Sequence, residues 1–208
     1  MNRLTVADLD YLYEQAVLGP LSRDEAFRDY FQSEWMATIT DHFSRLTGAY
    51  HPMYPFLSAL ARKLQPGLIV ELGVEIGRGM ASMHFGCPEA NIVGVDILDV
   101  TGPANSFKPY AVPGRWRIIW GDSLEFGREQ PQAKIGLLHV DSDHLYATTL
   151  VEWQMYRPMM VSGGVMCFDD LDCEGVRRVW DEQVLDIDQK VEMPGLHSGM
   201  GNGCVICG

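Results

Sequence analysis

From residue 68 onward, short apolar runs alternate with segments of helical periodicity, and this alternation is the strongest constraint on the fold. Parallel strands that are joined by right-handed helical crossovers produce such a pattern. We therefore predict an α/β fold with a doubly wound, mostly parallel, seven-stranded sheet. The predicted strands are 68–72, 91–96, 117–120, 135–140, 165–168 and a closing pair at about 190–193 and 204–207. The predicted helices that follow the strands are 78–85, 144–155 and 174–185.

Residues 1–65 contain no strand-like run, and their apolar spacing indicates helices. We predict helices over 8–17 and 55–64, with another between them that opens with a capping box at Ser22 and Glu25. The expected organisation is an N-terminal helical extension over 1–65 and a ligand-binding domain over 66–208. The extension is expected to act as a lid, a cap or a dimer contact, so a homodimer is one of the predicted assemblies.

The balance of charge limits the partners that we expect. The 208 residues include 16 Lys and Arg against 28 Asp and Glu, a formal net charge of −12. Nucleic acids and anionic membranes are bound through cationic side chains, so we expect neither partner. No apolar run reaches the ~20 residues that span a bilayer, and Asp8 interrupts the start before the apolar core of a signal peptide forms. Five scattered cysteines are typical of a reducing compartment, so the expected location is the cytoplasm.

Acidic side chains follow the fourth and fifth predicted strands: Asp141 after the fourth, Asp169 and Asp170 after the fifth. The carboxyl ends of parallel strands meet in the crevice where such sheets bind ligands. Three carboxylates repel one another there unless a cation lies between them, and hard divalent cations such as Mg²⁺ or Mn²⁺ prefer oxygen ligands. His144, three residues after Asp141, is a candidate proton acceptor. The alternatives are solvated strand ends for Asp141 and Asp169, a helix cap for Asp170 and an ordinary first-turn histidine for His144.

A glycine-rich turn follows the first predicted strand, and polar residues follow the next two. Glycines let the backbone approach a ligand closely. A carboxylate after the second strand can bond the ribose hydroxyls of a nucleoside, and polar groups after the third can accept from an adenine amine. The candidate cofactor-binding residues are Glu71, Gly73, Glu75 and Gly77 in the turn, Asp96 after the second strand, Asp122 and Ser123 after the third, and Asp141 after the fourth.

The spacing of the glycines favours one class of nucleoside ligand over another. The turn has the pattern G-x-x-x-G-x-G, whereas a dinucleotide-binding domain has G-x-G-x-x-G. Glu71, within the turn, would repel a pyrophosphate. It would tolerate a cationic head, such as the sulfonium and amino group of S-adenosylmethionine, so we predict that methyl donor as the cofactor.

Five motifs occur together in chain order. They are Glu71-Leu72-Gly73 with Gly77, Gly94-Val95-Asp96, Gly121-Asp122-Ser123, the run from His139 to His144 with Tyr146, and Gly163-Gly164-Val165 with Phe168-Asp169-Asp170. Over residues 66–186 the chain resembles class I S-adenosylmethionine-dependent methyltransferases. The resemblance is closest to the metal-dependent O-methyltransferases of the macrocin and mycinamicin type and the related cephalosporin hydroxylase group, and more distant to the catechol type. Glu75 departs from the commonest signature, which has a glycine at this position.

The resemblance implies a Rossmann-like methyltransferase fold in which Asp141, Asp169 and Asp170 hold a divalent cation. It also implies a base three residues after Asp141, which is His144 in this chain. The implied reaction is metal-assisted O-methyl transfer to a hydroxyl of a small molecule, such as a sugar, a polyketide or a catechol. The alternatives are a metal-dependent hydroxylase-type enzyme on the same fold and a non-catalytic S-adenosylmethionine-binding protein. The loop over 101–114 is expected to shape the acceptor pocket.

Overall fold

The structure is a computed structural model that describes residues 3–17, 52–101, 113–185, 189–197 and 200–208. The predicted helix at Ser22 and Glu25, and most of the 101–114 loop, lie outside the described residues. The described helices are α1 Val6–Val17, α2 Met53–Leu64, α3 Arg78–Gly86, α4 Ser123–Glu129, α5 Tyr146–Tyr156 and α6 Glu174–Gln183. The strands are β1 Leu68–Leu72, β2 Asn91–Asp96, β3 Trp116–Trp120, β4 Ile135–Val140, β5 Met160–Phe168, β6 Gln189–His197 and β7 Met200–Ile206.

The seven strands form one sheet in the order β3-β2-β1-β4-β5-β7-β6. Strands β1 to β5 are parallel to one another, and β7 runs antiparallel to both β5 and β6. The predicted α/β fold with a mostly parallel, seven-stranded sheet is confirmed. The strand order reverses between β1 and β4, and ligands bind at such a switch point. The carboxyl ends of β1, β2, β4 and β5 are in register there, because Leu72 pairs with both Val95 and Val140, and Val140 pairs with Phe168.

Helices cover both faces of the sheet. Helices α1, α2 and α3 pack on one face, and α5 and α6 pack on the other. Strand β1 contributes to both layers because alternate side chains point to opposite faces, so Ile69 lies in the first core and Val70 in the second. Leu9 of α1 and Phe56 of α2 are buried in the first core, so these helices share it with the sheet. None of the described helices is long and apolar enough to cross a membrane.

Some element boundaries differ from the prediction. Strand β5 begins at Met160, five residues before the predicted start. Helix α4 was not predicted, because seven residues are too few to display a helical period. Helix α5 begins at Tyr146 and not at residue 144. His144 has a φ of +56°, which is incompatible with a helix, and the carboxylate of Asp143 accepts from the N–H of Leu145 in a local turn.

Candidate active site

The glycine turn after β1 lies directly against the end of β4. Gly73 has a φ of +80°, and its N–H donates to the carbonyl of Val95, with N and O 2.9 Å apart. A Cβ atom at Gly73 would lie 1.7 Å from the carbonyl oxygen of Asp141. No side chain fits in this position, so glycine is required both by the backbone conformation and by the space.

The carboxylate of Asp96 fastens this turn to β2. One oxygen, Oδ2, accepts from the N–H groups of Val74 and Glu75 at 2.8 and 3.0 Å, and Oδ1 accepts from the N–H of Leu98 at 2.8 Å. A carboxylate has about four acceptor positions, so three are used inside the protein. The contact of Asp96 with a ribose stays a prediction. The remaining acceptor position of the carboxylate is the one that could accept a ribose hydroxyl.

Glu71 is buried beneath the turn. Its Oε2 accepts from the N–H of Met80 at 2.8 Å, and its Oε1 lies 2.8 Å from Nδ1 of the buried His139. Burial opposes a charged imidazole, but the hydrogen bond and the charge of Glu71 raise the pKa of His139 to about 10. A Cβ atom at Gly79 would lie 1.9 Å from Oε1, so α3 approaches Glu71 closely. Glu71 is thus engaged inside the protein, and its contact with a ligand stays a prediction.

Two further predicted residues, Glu75 and Gly77, lie in the turn just before the start of α3. Glu75 is exposed with a φ of +51°, and Gly77, with a φ of +86°, precedes Arg78 at the first position of the helix. Tyr54, from α2, forms a hydrogen bond with Arg78, and burial above all raises the pKa of its phenol, with a further contribution from the charge of Asp141. Sequence reasoning missed Tyr54, because no motif marks it and only the packing of α2 brings it here.

Asp122, after β3, is the N-cap of α4. Its Oδ1 accepts from the N–H groups of Leu124 and Glu125 at 2.6 and 3.2 Å. This is the usual N-cap arrangement of an aspartate, and it uses one carboxylate oxygen. The predicted contact of Asp122 with adenine stays a prediction.

Glu152 of α5 joins the end of β3 to the end of β4. Its two oxygens accept from the hydroxyls of Ser123 at 2.7 Å and Ser142 at 2.8 Å. The side chain is fully buried, and burial raises the pKa of its carboxyl. The Ser123 hydroxyl is therefore committed as a donor, which leaves its oxygen as an acceptor. The motifs did not single out Glu152, which lies in the middle of a helix.

His144 lies between two carboxylates that end neighbouring strands. Its Nε2 is 3.2 Å from Oδ1 of Asp141, and its Nδ1 is 3.8 Å from Oδ2 of Asp170. The neighbouring carboxylate of Asp141 is the main cause that raises the pKa of His144. Burial, followed by the charge of Asp169, raises the pKa of Asp141 to about 7. The structure therefore brings together His144, Asp141 and Asp170 as predicted from the sequence.

Asp169 lies deeper than its two predicted partners. It is fully buried, and its Oδ1 accepts from Nδ2 of Asn202 on β7 at 2.5 Å. Among the described residues, a compact group of potential metal ligands is formed by His144, Asp170 and Cys173, whose ligand atoms all lie within 4.8 Å of one another. Cys173 and Asn202 are thus two residues of the site that sequence reasoning missed. The joint binding of one cation by Asp141, Asp169 and Asp170 stays a prediction.

Comparison with known families identifies the domain. Residues 70–171 match a family model described as a methyltransferase domain, and this range contains all the predicted site residues. The chain contains a methyltransferase domain. The resemblance to class I S-adenosylmethionine-dependent methyltransferases is thereby confirmed, and with it the prediction that the protein is an enzyme of this class.

Solved structures share the fold of this methyltransferase over nearly its whole length. Cofactor-bound Rv0187 from MTB has a TM-score of 0.67 and 16% identity, with 99% of each chain covered. The O-methyltransferase from Bacillus cereus, in complex with SAH, has a TM-score of 0.68 and 16% identity, with 97% of each chain covered. CalS11, the TDP-rhamnose 3′-O-methyltransferase of calicheamicin biosynthesis, has a TM-score of 0.59 and 22% identity, covering 96% of this chain and 93% of its own. No curated protein sequence matches the chain.

Proposed function

We propose that this domain transfers the methyl group of S-adenosylmethionine to a hydroxyl oxygen of a small molecule, with the assistance of a divalent cation. The observation that carries the proposal is the position of the His144 imidazole between the carboxylates of Asp141 and Asp170 at the ligand edge of the sheet. An accepting hydroxyl must lose its proton as the new bond forms. A histidine and several carboxylates can hold that proton and a cation side by side.

The methyl donor is assigned to the crevice above β1, β2 and β3. Gly73 and Gly77 allow close approach of the backbone, and Asp96 offers its remaining acceptor position to the ribose. The exposed carboxylate of Glu75 suits the cationic amino group of the donor. The other assigned residues are Glu71 beneath the turn, Asp122 and Ser123 toward the adenine, and Asp141 toward the methionine end. The SAH complex of the Bacillus cereus O-methyltransferase, which has the same fold, supports a ligand of this class.

The divalent cation is assigned to Asp141, Asp169 and Asp170. Three carboxylates suit a hard cation. Burial and the neighbouring charge of Asp169 raise the pKa of Asp141, and a bound cation would offset both effects by stabilising the ionised carboxylate. Asn202 orients Asp169 in the way that a second polar group orients a metal ligand. When bound there, Mg²⁺ or Mn²⁺ would increase the acidity of an acceptor hydroxyl and fix its orientation.

His144 is assigned as the base. Nε2 lies 3.2 Å from Oδ1 of Asp141, which favours the N–H on that nitrogen, so we assign the second nitrogen, Nδ1, as the atom that takes the hydroxyl proton. Asp141 and Asp170 then flank the imidazolium and stabilise its charge. In this step the two aspartates, which also belong to the proposed cation site, stabilise and orient the imidazole, and the imidazole carries the proton.

The acceptor class follows from the same site. Two neighbouring oxygens on one substrate would give the cation a chelating ligand with fixed geometry, so a vicinal diol of a sugar or polyketide, or a catechol, fits best. The sugar substrate named for CalS11 supports the first of these. The formal net charge of −12 disfavours nucleic acids and anionic membranes as partners, and a small molecule of the cytoplasm suits the charge and the scattered cysteines.

The experiment measures S-adenosylhomocysteine formation from S-adenosylmethionine with a panel of nucleotide sugars and catechols. We expect turnover that a chelator abolishes and that Mg²⁺ or Mn²⁺ restores. Asp169→Asn should weaken cation binding strongly while calorimetry shows unchanged affinity for S-adenosylhomocysteine. The matched control is Asp143→Asn, because the carboxylate of Asp143 accepts from Leu145 and Thr148 in a local turn. Full turnover after exhaustive chelation would contradict the role of the cation, and an absence of S-adenosylhomocysteine binding would contradict the proposal as a whole.

A further inference from the structure

Three separate segments bring ligating atoms together at the edge of the candidate site. His144 comes from the loop after β4, Asp170 from the end of β5 and Cys173 from the residue before α6. One imidazole nitrogen, one carboxylate oxygen and the Cys173 Sγ all lie within 4.8 Å of one another. Cys173 occupies the N-cap position of α6, yet its side chain makes no capping hydrogen bond. The thiol therefore serves no local purpose in starting the helix.

The orientation of the His144 ring leaves one nitrogen facing this group. Nε2 is 3.2 Å from Oδ1 of Asp141, while Nδ1 faces Oδ2 of Asp170 at 3.8 Å. A neutral imidazole has one N–H and one lone pair. Nε2 lies nearer to a carboxylate than Nδ1 does, although it forms no hydrogen bond with the described residues, and a proton on Nε2 leaves the lone pair of Nδ1 opposite Asp170. Two electron-rich atoms that face each other need a proton or a cation between them. A carboxylate behind the far nitrogen is also the usual arrangement that orients a metal-ligating histidine.

We infer that His144, Asp170 and Cys173 bind a thiophilic divalent cation, such as Zn²⁺ or Co²⁺, through Nδ1, a carboxylate oxygen and Sγ. The set of one nitrogen, one oxygen and one sulfur is softer than three carboxylates, and it favours Zn²⁺ over Mg²⁺. Tetrahedral ligand atoms around Zn²⁺ lie about 3.5 Å apart, as follows from bond lengths of about 2.0–2.3 Å. The observed separations of up to 4.8 Å need only small side-chain adjustments to reach this geometry.

Such a cation would compete with methyl transfer. With Nδ1 bound to the cation and the N–H on Nε2, the imidazole of His144 has no lone pair left to accept a proton. Zn²⁺ would therefore act as an inhibitor, and this consequence rests on the proposed function, in which His144 is the base and Asp170 is also a ligand of the catalytic cation. The binding site itself depends only on the three ligands.

The test is a titration of the full-length protein with Co²⁺, under a reductant without thiols and without methyl donor or acceptor. We expect a thiolate-to-cobalt charge-transfer absorption band, because a thiol that coordinates a metal is deprotonated. Cys173→Ser, which places a good N-cap residue before α6, should lose the band and weaken Co²⁺ binding by at least about tenfold. The matched control, Cys87→Ser, lies at the far end of α3 and should keep the band.

A wild-type protein without the band, or a Cys173→Ser protein with an unchanged band, would overturn the inference. The absorption is recorded without substrates, so a failure to form S-adenosylhomocysteine leaves this result untouched, and the two proposals fail separately. Where methyl transfer is observed, Zn²⁺ should inhibit the wild type more strongly than Cys173→Ser, each relative to its own rate without Zn²⁺. Equal inhibition of the two proteins would contradict the competition at His144.

Discussion

The carboxylate of Asp96 has one observed task and one proposed task. It accepts three backbone N–H groups, from Val74, Glu75 and Leu98. We assign its remaining acceptor capacity to the ribose of the methyl donor. The Gly94-Val95-Asp96 motif in the sequence indicated the second task and gave no sign of the first. The reason is physical, because backbone donors compete with a ligand for the same oxygens, and only the folded turn shows how many of them arrive.

Asp96→Ala should weaken S-adenosylhomocysteine binding by about 1.5–3 kcal/mol, as expected for the loss of a hydrogen bond to a charged group. Calorimetry measures the affinity, and thermal unfolding in the same samples measures the cost of releasing the turn. Asp99→Ala is the control, since Asp99 is exposed three residues further along the chain. If the Asp96→Ala protein binds S-adenosylhomocysteine with wild-type affinity, Asp96 does not contact the ribose.

His144→Ala should lower turnover roughly 10²–10⁴-fold, the usual contribution of a general base. The affinity for S-adenosylhomocysteine should change little, because the carboxylate of Asp141 remains in place and His144 is assigned to proton transfer and not to binding of the methyl donor. Steady-state rates on a confirmed acceptor and calorimetry on the same preparation give the two quantities. Near-normal turnover in the variant would remove His144 from proton transfer.

At the scale of elements, a capping motif formed by Thr5 and Asp8 sets the start of α1. The N–H of Thr5 donates to Oδ2 of Asp8 at 2.9 Å, and the N–H of Asp8 donates to Oγ1 of Thr5 at 3.3 Å. This is a reciprocal capping box with Asp in the third position, and it explains why α1 begins at Val6, two residues before the predicted start. Lys63 of α2 adds an ion pair, with Nζ 2.5 Å from Oδ1 of Asp8.

The contribution of Asp8 to stability should depend on pH. Hydrogen bonds with Lys63 and Thr5 lower the pKa of Asp8 from 3.8 to about 2. Because the folded pKa is the lower one, the stabilisation is complete above about pH 4 and is lost as the pH falls toward 2. Asp8→Asn should cost about 1 kcal/mol of unfolding free energy at pH 7, since both side chains of the pair are partly exposed, and the difference from wild type should shrink by pH 3. Urea unfolding at several pH values measures it.

Asp10→Asn is the control for that prediction, because Asp10 is exposed on the same helix. It should leave stability within about 0.5 kcal/mol of wild type at every pH. A difference between Asp8→Asn and wild type that stays constant from pH 7 to pH 3 would show that the charge of Asp8 is not the cause.

At the scale of the whole molecule, the described part of residues 1–65 is not a separate body. Leu9 is fully buried in the same core as Phe56, Ile69 and Leu137. Leu9→Ala should therefore destabilise the whole protein by about 2–5 kcal/mol, and unfolding should remain a single transition in denaturant. Tyr11→Ala, at a side chain that is 56% exposed, is the control and should have little effect. A separate early transition in Leu9→Ala would show that α1 unfolds independently of the sheet.

The sequence by itself determined the architecture and the edge at which the site lies. Apolar runs of strand length, separated by helical segments, allow little besides a parallel sheet, and the residue after each run must emerge at the carboxyl end of its strand. Asp141 and Asp170 therefore had to lie near each other once β4 and β5 were neighbours. These inferences need only the periodicity of the chain.

Only the tertiary structure decided how each side chain is used. Glu71 meets His139, and Asp169 meets Asn202, across separations of 68 and 33 residues that no local pattern encodes. The packing of α2 brings Tyr54 to the turn, and the start of α6 brings Cys173 to His144. A buried polar atom takes whatever donor or acceptor the packed neighbours offer, because leaving it without one costs about 1–3 kcal/mol. Those neighbours come from distant segments, so the fold decides the partners.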